Sequence, residues 1–254
     1  MTIPSHSTER DPLVINAWSG PRNISTALMY AWRQRADTVV FDEPFYGRYL
    51  QRNDPGHPAR AEIIAAMHDH QDAIEAAIVA PSATGDRPVR YVKNIGHHLD
   101  VLDPSILDRF VNVLLIRNPA AVIASLTKTL GDIVTADITG VAQQLQILDH
   151  ELAAGRQPIV IDSAHLLADP SSTLAEVCAR LGLTYTDTML TWPAGPKPED
   201  GVWAPHWYHN AHASTGFAAP DTGPPPHLTE RGTAVLAEIQ PGYDRLAALA
   251  ITSQ

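Results

Sequence analysis

The spacing of apolar positions changes several times along the chain, and each change marks an element. Leu13 to Trp18 is a short apolar run with β-branched residues, the pattern of a buried strand, and Ser19-Gly20-Pro21 breaks it. From Ile24 the spacing turns helical, with Leu28, Met29 and Trp32 on one face. Thr38 to Phe41 reads as a second strand ended by Asp42-Glu43-Pro44-Phe45. Residues 57 to 80 form an amphipathic helical region broken once, marked by Ile63, Ile64, Met67, Ile74, Ala77 and Ile78. Pro81 to Pro88 is a loop by composition, and Val89 to Lys93 is a third strand. Residues 110 to 116 are almost continuously apolar, as in a parallel sheet covered on both faces.

The second half follows the same rules. Val141 to Leu152 is a helix with Leu145, Leu148 and Leu152 on one face. Pro158 to Ile161 is the fifth strand, and Asp169-Pro170 opens a helix through Leu181. Leu228 to Ala250 is a closing helix in which Pro241 makes a break. Between these elements, 192–226 is rich in Pro, Gly, Trp and His and too long for a plain connector, which marks an active-site lid. The whole predicts one α/β domain over 13–254, a mostly parallel five-stranded sheet flanked by helices, with residues 1–12 as a flexible N-terminus.

Composition narrows this picture. A chain of 254 residues can bury a sizeable core, and no apolar run approaches the length of a membrane span. The opening stretch lacks a signal-like apolar segment, and the lone Cys178 permits no internal disulfide, so a cytoplasmic location is expected, with Cys178 in packing. A net charge of −10 argues against nucleic acid as a partner, and any polyanionic small molecule must meet a local cluster of cations. Oligomeric state is not legible, and a homodimer stays open.

Two stretches supply such clusters. The strand–turn–helix of Leu13 to Thr26 points backbone N–H groups at a helix N-terminus, with Arg22 as a fixed cation and Ser25 and Thr26 as hydroxyl donors. The plainer alternative is an ordinary connection capped by Ser25. The turn has a single Gly20 and no Lys, so it is not the P-loop of nucleotide hydrolases. In the second stretch Arg117 ends the apolar strand, Asn118 suits an N-cap, Pro119 suits the first helical turn, and Ser125 lies two turns on. A guanidinium and a hydroxyl so placed can converge on one phosphate, or the Arg can pair with a core carboxylate.

Other candidates sit at strand ends, where open α/β sheets bind ligands. Glu43 is either a general base or, with Asp42, a cap for the next helix. Lys93 either neutralises charge on a transferred group or pairs with a core carboxylate. His97 and His98 either begin a solvent-facing helix or turn one ring to the site. His57, His68 and His70 are too scattered for a metal site, and His68 and His70 read as surface residues. His206, His209 and His212 recur every three residues beside Trp203 and Trp207 and are read as packing the lid or stacking on adenine, zinc being the alternative.

The segment Gly20-Pro21-Arg22-Asn23-Ile24-Ser25-Thr26 resembles the phosphosulfate-binding loop of the sulfotransferase family, and Arg117 with Ser125 resembles the family's pair for a 3′-phosphate. The Phe-Asp-Glu-Pro segment, Ile-Arg-Asn-Pro, Trp192 to Trp203 and Ser214-Thr215-Gly216-Phe217 resemble its bacterial and plant branch, whose plant members are sometimes labelled aminotransferase-like. Nothing here marks a pyridoxal-phosphate lysine. The resemblance implies a P-loop-like sulfotransferase fold and transfer of a sulfuryl group from PAPS (3′-phosphoadenosine 5′-phosphosulfate) to a hydroxyl or amine of a small-molecule acceptor. It implies donor contacts from Arg22, Asn23, Ile24, Ser25, Thr26, Arg117, Ser125, Ser214, Thr215 and Gly216, with catalysis by Glu43, Lys93, His97 or His98 and no metal. Ile95 stands where many cytosolic members carry a catalytic His, which moves the base to Glu43. The family's Arg-Lys-Gly signature for the 3′-phosphate is absent from 209–217, which leaves that selectivity less secured than donor binding. An ATP-dependent phosphotransferase and a non-catalytic nucleotide-binding protein are the alternatives.

Overall fold

The computed structural model describes residues 11–53, 56–82, 87–220 and 223–252. Most of the expected N-terminal tail and the middle of the Pro81–Pro88 loop lie outside the described residues. Five strands form one sheet: β1 Leu13–Ser19, β2 Thr38–Asp42, β3 Val89–Ile95, β4 Val111–Ile116 and β5 Ile159–Asp162, in the order β2-β3-β1-β4-β5. Every pairing is parallel, with Ala17 opposite Lys93 and Val113, and Asp42 opposite Lys93. Helices cover both faces, which is why the central strands are buried almost throughout. One core gathers Ile15, Ala17, Leu28 and Trp32 under the helix Ser25–Arg33. The other gathers Val14, Trp18, Ile147 and Leu148 under the helix Val141–Ala153. Cys178 is buried in the first core within the helix Pro170–Arg180.

The chain leaves β1 toward β2 and leaves β4 toward β5, so a crevice opens where β1 and β4 end side by side. That is the place where a sheet of this kind binds ligands. A second group of strand ends, β2 with β3, lies on the same edge of the sheet.

Several expectations need correction. The helix Tyr46–Arg52 begins after Pro44, with Phe45 at its N-cap, so Pro44 is not its first residue and neither Asp42 nor Glu43 caps it. In the helix Val141–Ala153 the buried stripe is Gln144, Ile147, Leu148 and Glu151, and Leu152 is 45% exposed. Polar partners on the sheet turn the helix this way: Gln144 donates to the Leu115 carbonyl at 2.9 Å, and Glu151 accepts from Asn112 at 2.8 Å. The helix Glu230–Ala247 runs through Pro241 without a break. Gly242 presses against the Val141–Ala153 helix so closely that a Cβ there would sit 2.8 Å from Leu145 Cδ1, and this packing holds the helix together past Pro241. The chain then pairs with the sheet, Ile251 N–H donating to the Val160 carbonyl at 2.9 Å. A short helix not expected, Ser163–Ala168, is capped by Asp162. The expected break in 57–80 falls between Arg60–Ala66 and Gln71–Val79, and His68 and His70 are exposed.

The stretch expected to act as a lid is anchored by buried Trp192, Lys197, Trp203, Ala204 and Tyr208, while residues 223–226 are exposed. Two single-turn helices, Ala204–Trp207 and His209–Ala213, follow Trp203. Among the described residues, no helix is long and apolar enough to cross a membrane.

Candidate active site

At the β1/β4 crevice, Gly20 carries the chain against the turn at Thr139–Gly140, where any Cβ would collide with the Thr139 carbonyl oxygen. Arg22 then adopts a left-handed backbone, φ 58°. Asn23 locks the loop: its Nδ2 donates to the Leu115 carbonyl at 3.0 Å, and its Oδ1 accepts from Ile24 N–H at 2.9 Å. The helix Ser25–Arg33 starts with Ile24 at its N-cap, no side-chain cap and no acidic residue in its first turn. Ser25 is therefore the first helical residue and not a cap. The ladder begins with Leu28 N–H to the Ile24 carbonyl, so the N–H groups of Ser25, Thr26 and Ala27 lie ahead of it. Uncapped donors at the positive end of a helix dipole attract an anion.

The two sequence stretches meet here. Arg22 Nε donates to Ser125 Oγ at 3.0 Å, and Arg117 Nη1 donates to the Arg22 carbonyl at 2.6 Å. Two guanidinium groups, a hydroxyl and a free helix N-terminus thus converge, each half-buried except the buried Ser25. Asn118 caps the helix Pro119–Leu130 as expected, accepting from Ala121 N–H. Beneath the loop a cavity of about 20 Å³, bounded by Gly20, Asn23, Arg117 and Gln144, is no larger than a water site. Ser214 and Thr215 bond elsewhere: Ser214 Oγ accepts from Trp192 Nε1 at 3.0 Å, and the Thr215 carbonyl accepts from Trp192 N–H at 3.0 Å. Gly216 bridges to Thr191 in the same closure.

The ends of β2 and β3 hold a different arrangement. Lys93 lies two residues inside β3 and is 2% exposed. Its ammonium donates to Asp42 Oδ1 at 2.8 Å, Glu43 Oε1 at 2.5 Å and the Tyr208 hydroxyl at 2.7 Å. Three donors meet three acceptors, which supports the reading of Lys93 as the partner of core carboxylates. Burial works against the charged lysine, but Asp42 and Glu43 override it and hold the ammonium well above its ordinary range. Burial raises Asp42 against the pull of Lys93. Asp42 also accepts from Tyr208 at 2.8 and 2.9 Å and from Gly201 N–H at 3.0 Å.

Glu43 is held less completely. Among the described residues its Oε2 faces His98 Nε2 alone, at 3.5 Å, and its side chain keeps 9% exposure where that of Asp42 keeps none. Like Arg22 it has a left-handed backbone, φ 46°; these two are the non-glycine residues so strained among the described residues. His98 is buried, and burial first, then His97 and Lys93, push it well below the usual histidine range, so it is neutral at pH 7. Two carboxyl groups thus share one ammonium, and burial raises Asp42 toward its protonated form. His97 turns away, its Nε2 within 2.6 Å of the Asp137 carbonyl.

Aromatic rings wall this cluster. Tyr46 lies 5.5 Å from His98, 5.8 Å from His57 and 5.1 Å from Trp203, measured between ring centroids. The late histidines separate: His206 faces His57, while His212 bonds Asp200 at 2.9 Å. Among the described residues no group of three or more His, Cys, Asp or Glu is arranged to hold a metal ion. Sequence reasoning missed Tyr208 and Trp203 as parts of this cluster. The available signal was a phenol among buried rings, whose hydroxyl needs a partner.

A doubly covered parallel sheet whose crevice gathers guanidinium, hydroxyl and uncapped N–H groups defines an α/β scaffold suited to an anionic ligand. The chain belongs to the sulfotransferase-domain family, which matches residues 13–250. It is 37% identical over 215 residues to branched-chain-amino-acid aminotransferase-like protein 1 of Arabidopsis thaliana, and 35% over 213 residues to protein 2 of that name. These matches cover 84% and 83% of this chain but only 38% and 37% of the plant proteins. The fold is similar to the sulfotransferase domain from the curacin biosynthetic pathway, with TM-score 0.54 and 16% identity over 91% of this chain and 99% of that one. It is also similar to a sulfotransferase from Alicyclobacillus acidocaldarius, with TM-score 0.52 and 15% identity over 94% and 96%.

Proposed function

We propose that this protein transfers a sulfuryl group from PAPS to a hydroxyl or amine of a small-molecule acceptor. The observation that carries the reading is the convergence of Arg22, Arg117 and Ser125 on an uncapped helix N-terminus. A donor set of guanidinium, hydroxyl and N–H groups, with no carboxylate in the first helical turn, fits a polyanion. Arg22, Ser25, Thr26 and the backbone of Asn23 and Ile24 would hold the 5′-phosphosulfate; Arg117 and Ser125 would hold the 3′-phosphate. When bound, PAPS supplies the sulfuryl group, and adenosine 3′,5′-bisphosphate remains after transfer.

The protein's own part is to place and deprotonate the acceptor. Glu43 Oε2 takes the acceptor proton, while Lys93 fixes the other oxygen of the same carboxylate. Lys93 has no donor left for the transferred group, so its role is to hold the base. His98, neutral and 3.5 Å from Glu43, is the alternate base.

The test is turnover of labelled PAPS with an acceptor library, with and without magnesium. Metal-independent labelled product supports the reading. Nucleotide binding with no transfer to any acceptor overturns it in favour of a non-catalytic nucleotide-binding protein, and magnesium-dependent use of ATP would make the protein a phosphotransferase.

A further inference from the structure

We infer that Tyr208 is a positioning residue for the base: its hydroxyl fixes how Lys93 divides its charge between Asp42 and Glu43, and so sets how strongly Glu43 takes a proton. The inference rests on Glu43 being the base of the proposed reaction.

The hydroxyl has its orientation forced. Two of its neighbours, Lys93 Nζ at 2.7 Å and Trp203 Nε1 at 3.1 Å, can only donate. Its single proton must therefore go to Asp42, whose oxygens lie at 2.8 and 2.9 Å. The phenol thus does two things together. It accepts one of the three Lys93 donors, and it satisfies a carboxylate that would otherwise draw Lys93 away from Glu43. Burial keeps Tyr208 protonated, so this donation persists over the whole working pH range. The groups facing Glu43 are Lys93 on β3, Asp42 on β2, His98 after β3, Tyr46 on the next helix and, more remotely, His57. Among these, Lys93 is the cation bonded directly to the carboxylate, and Tyr208 touches it from the far side.

Removing the hydroxyl frees an N–H on Lys93 and a lone pair on Asp42 that face the same gap. Lys93 then closes on Asp42 and loosens from Glu43. The prediction has a sign: Glu43 takes its proton at higher pH in Tyr208→Phe. A purely structural tyrosine would instead lower folded protein or activity equally at every pH.

The experiment follows the Glu43 side-chain carboxyl directly, by NMR on protein carrying ¹³C-carboxyl glutamate, with Glu43→Gln assigning the resonance. In Tyr208→Phe the titration midpoint should move up by about half a pH unit or more, the scale expected for a changed charged hydrogen bond. A folded Tyr208→Phe with an unmoved midpoint overturns the inference. Should Phe prevent folding, 3-fluorotyrosine at position 208 keeps the ring while making the hydroxyl a better donor and a poorer acceptor. The midpoint should then shift from its wild-type position, and an unchanged curve again overturns the inference. The acid limb of labelled-PAPS turnover is measured on the same samples. A moved carboxyl titration without a moved limb keeps the link from Tyr208 through Lys93 to Glu43 but removes Glu43 as the base, and with it the positioning role.

Discussion

The two strand-end clusters sit on the same edge of the sheet and solve opposite problems. At the β1/β4 crevice the cations are half-buried and the helix N-terminus is uncapped, an arrangement suited to an anion. At β2/β3 the cation is sealed and every one of its donors is engaged, while a single carboxylate oxygen is left nearly unpartnered. One cluster stores hydrogen-bond donors, the other a proton acceptor. Each is held by one left-handed residue, Arg22 or Glu43, where the chain must turn sharply to present its side chain.

The largest effect is expected at β2/β3. Glu43→Gln keeps the shape but cannot take a proton, so turnover should fall by roughly 10²–10⁴ with donor affinity nearly unchanged. Steady-state rates and donor titration check this, and near-normal turnover would move the base to His98. Lys93→Met comes next: it leaves Asp42 and Glu43 buried without their cation and should cost about 3–5 kcal/mol of stability by urea unfolding. A small loss would mean that the cluster is far less sealed than its geometry.

At the donor end, adenosine 3′,5′-bisphosphate should raise the melting temperature well beyond AMP, and Arg117→Ala should erase that difference at about 1.5–3 kcal/mol. Arg117 also bonds the Arg22 carbonyl, which sharpens the test. If Arg117 is only a strut for the loop, the variant weakens both nucleotides alike.

The smallest effect is a pH dependence of stability. Burial, with lesser repulsion from neighbouring cations and histidines, depresses His98 below its unfolded value of 6.5. Between those two values the unfolded chain binds a proton that the folded chain refuses. Stability is therefore full above about pH 6.5 and declines as pH falls, by up to about 1.4 kcal/mol per unit for this group. Replacing His98 with Phe should flatten that slope in melts run from pH 7 to pH 5.

Much of the donor cluster was legible because it is local. A strand, a glycine turn and a helix lie within Leu13 to Thr26, and Arg117 and Ser125 share one strand–helix unit, so spacing alone assembles each half. Their meeting through Arg22 and Ser125 is a property of strand order, which spacing does not carry. The β2/β3 cluster was legible in its carboxylates and lysine but not in their partnership. Asp42, Lys93 and Tyr208 come from distant segments, and a helix cap was an equally good local account of Glu43. The rotated helix Val141–Ala153 was misread for a related reason: its buried Gln144 and Glu151 look like surface residues until Asn112 and the Leu115 carbonyl are set opposite them. Pro241 looked like a break because a propensity rule ignores the packing of Gly242 on Leu145.

The knot at Lys93 also bears on how the molecule folds. It ties Lys93 to Asp42, 51 positions earlier, and to Tyr208, 115 positions later, and it joins Tyr208 to Asp42 across 166 positions, among the longest closures in the described residues. Contacts of such separation form late, because their closure entropy is repaid only after the sheet has ordered. Lys93 meets Asp42 when β2 pairs with β3, and the hydroxyl that completes its donor set arrives with the docking of 203–213. Tyr208→Phe should accordingly speed unfolding and leave the folding rate nearly untouched, placing the chemistry of this protein among the final events of its assembly.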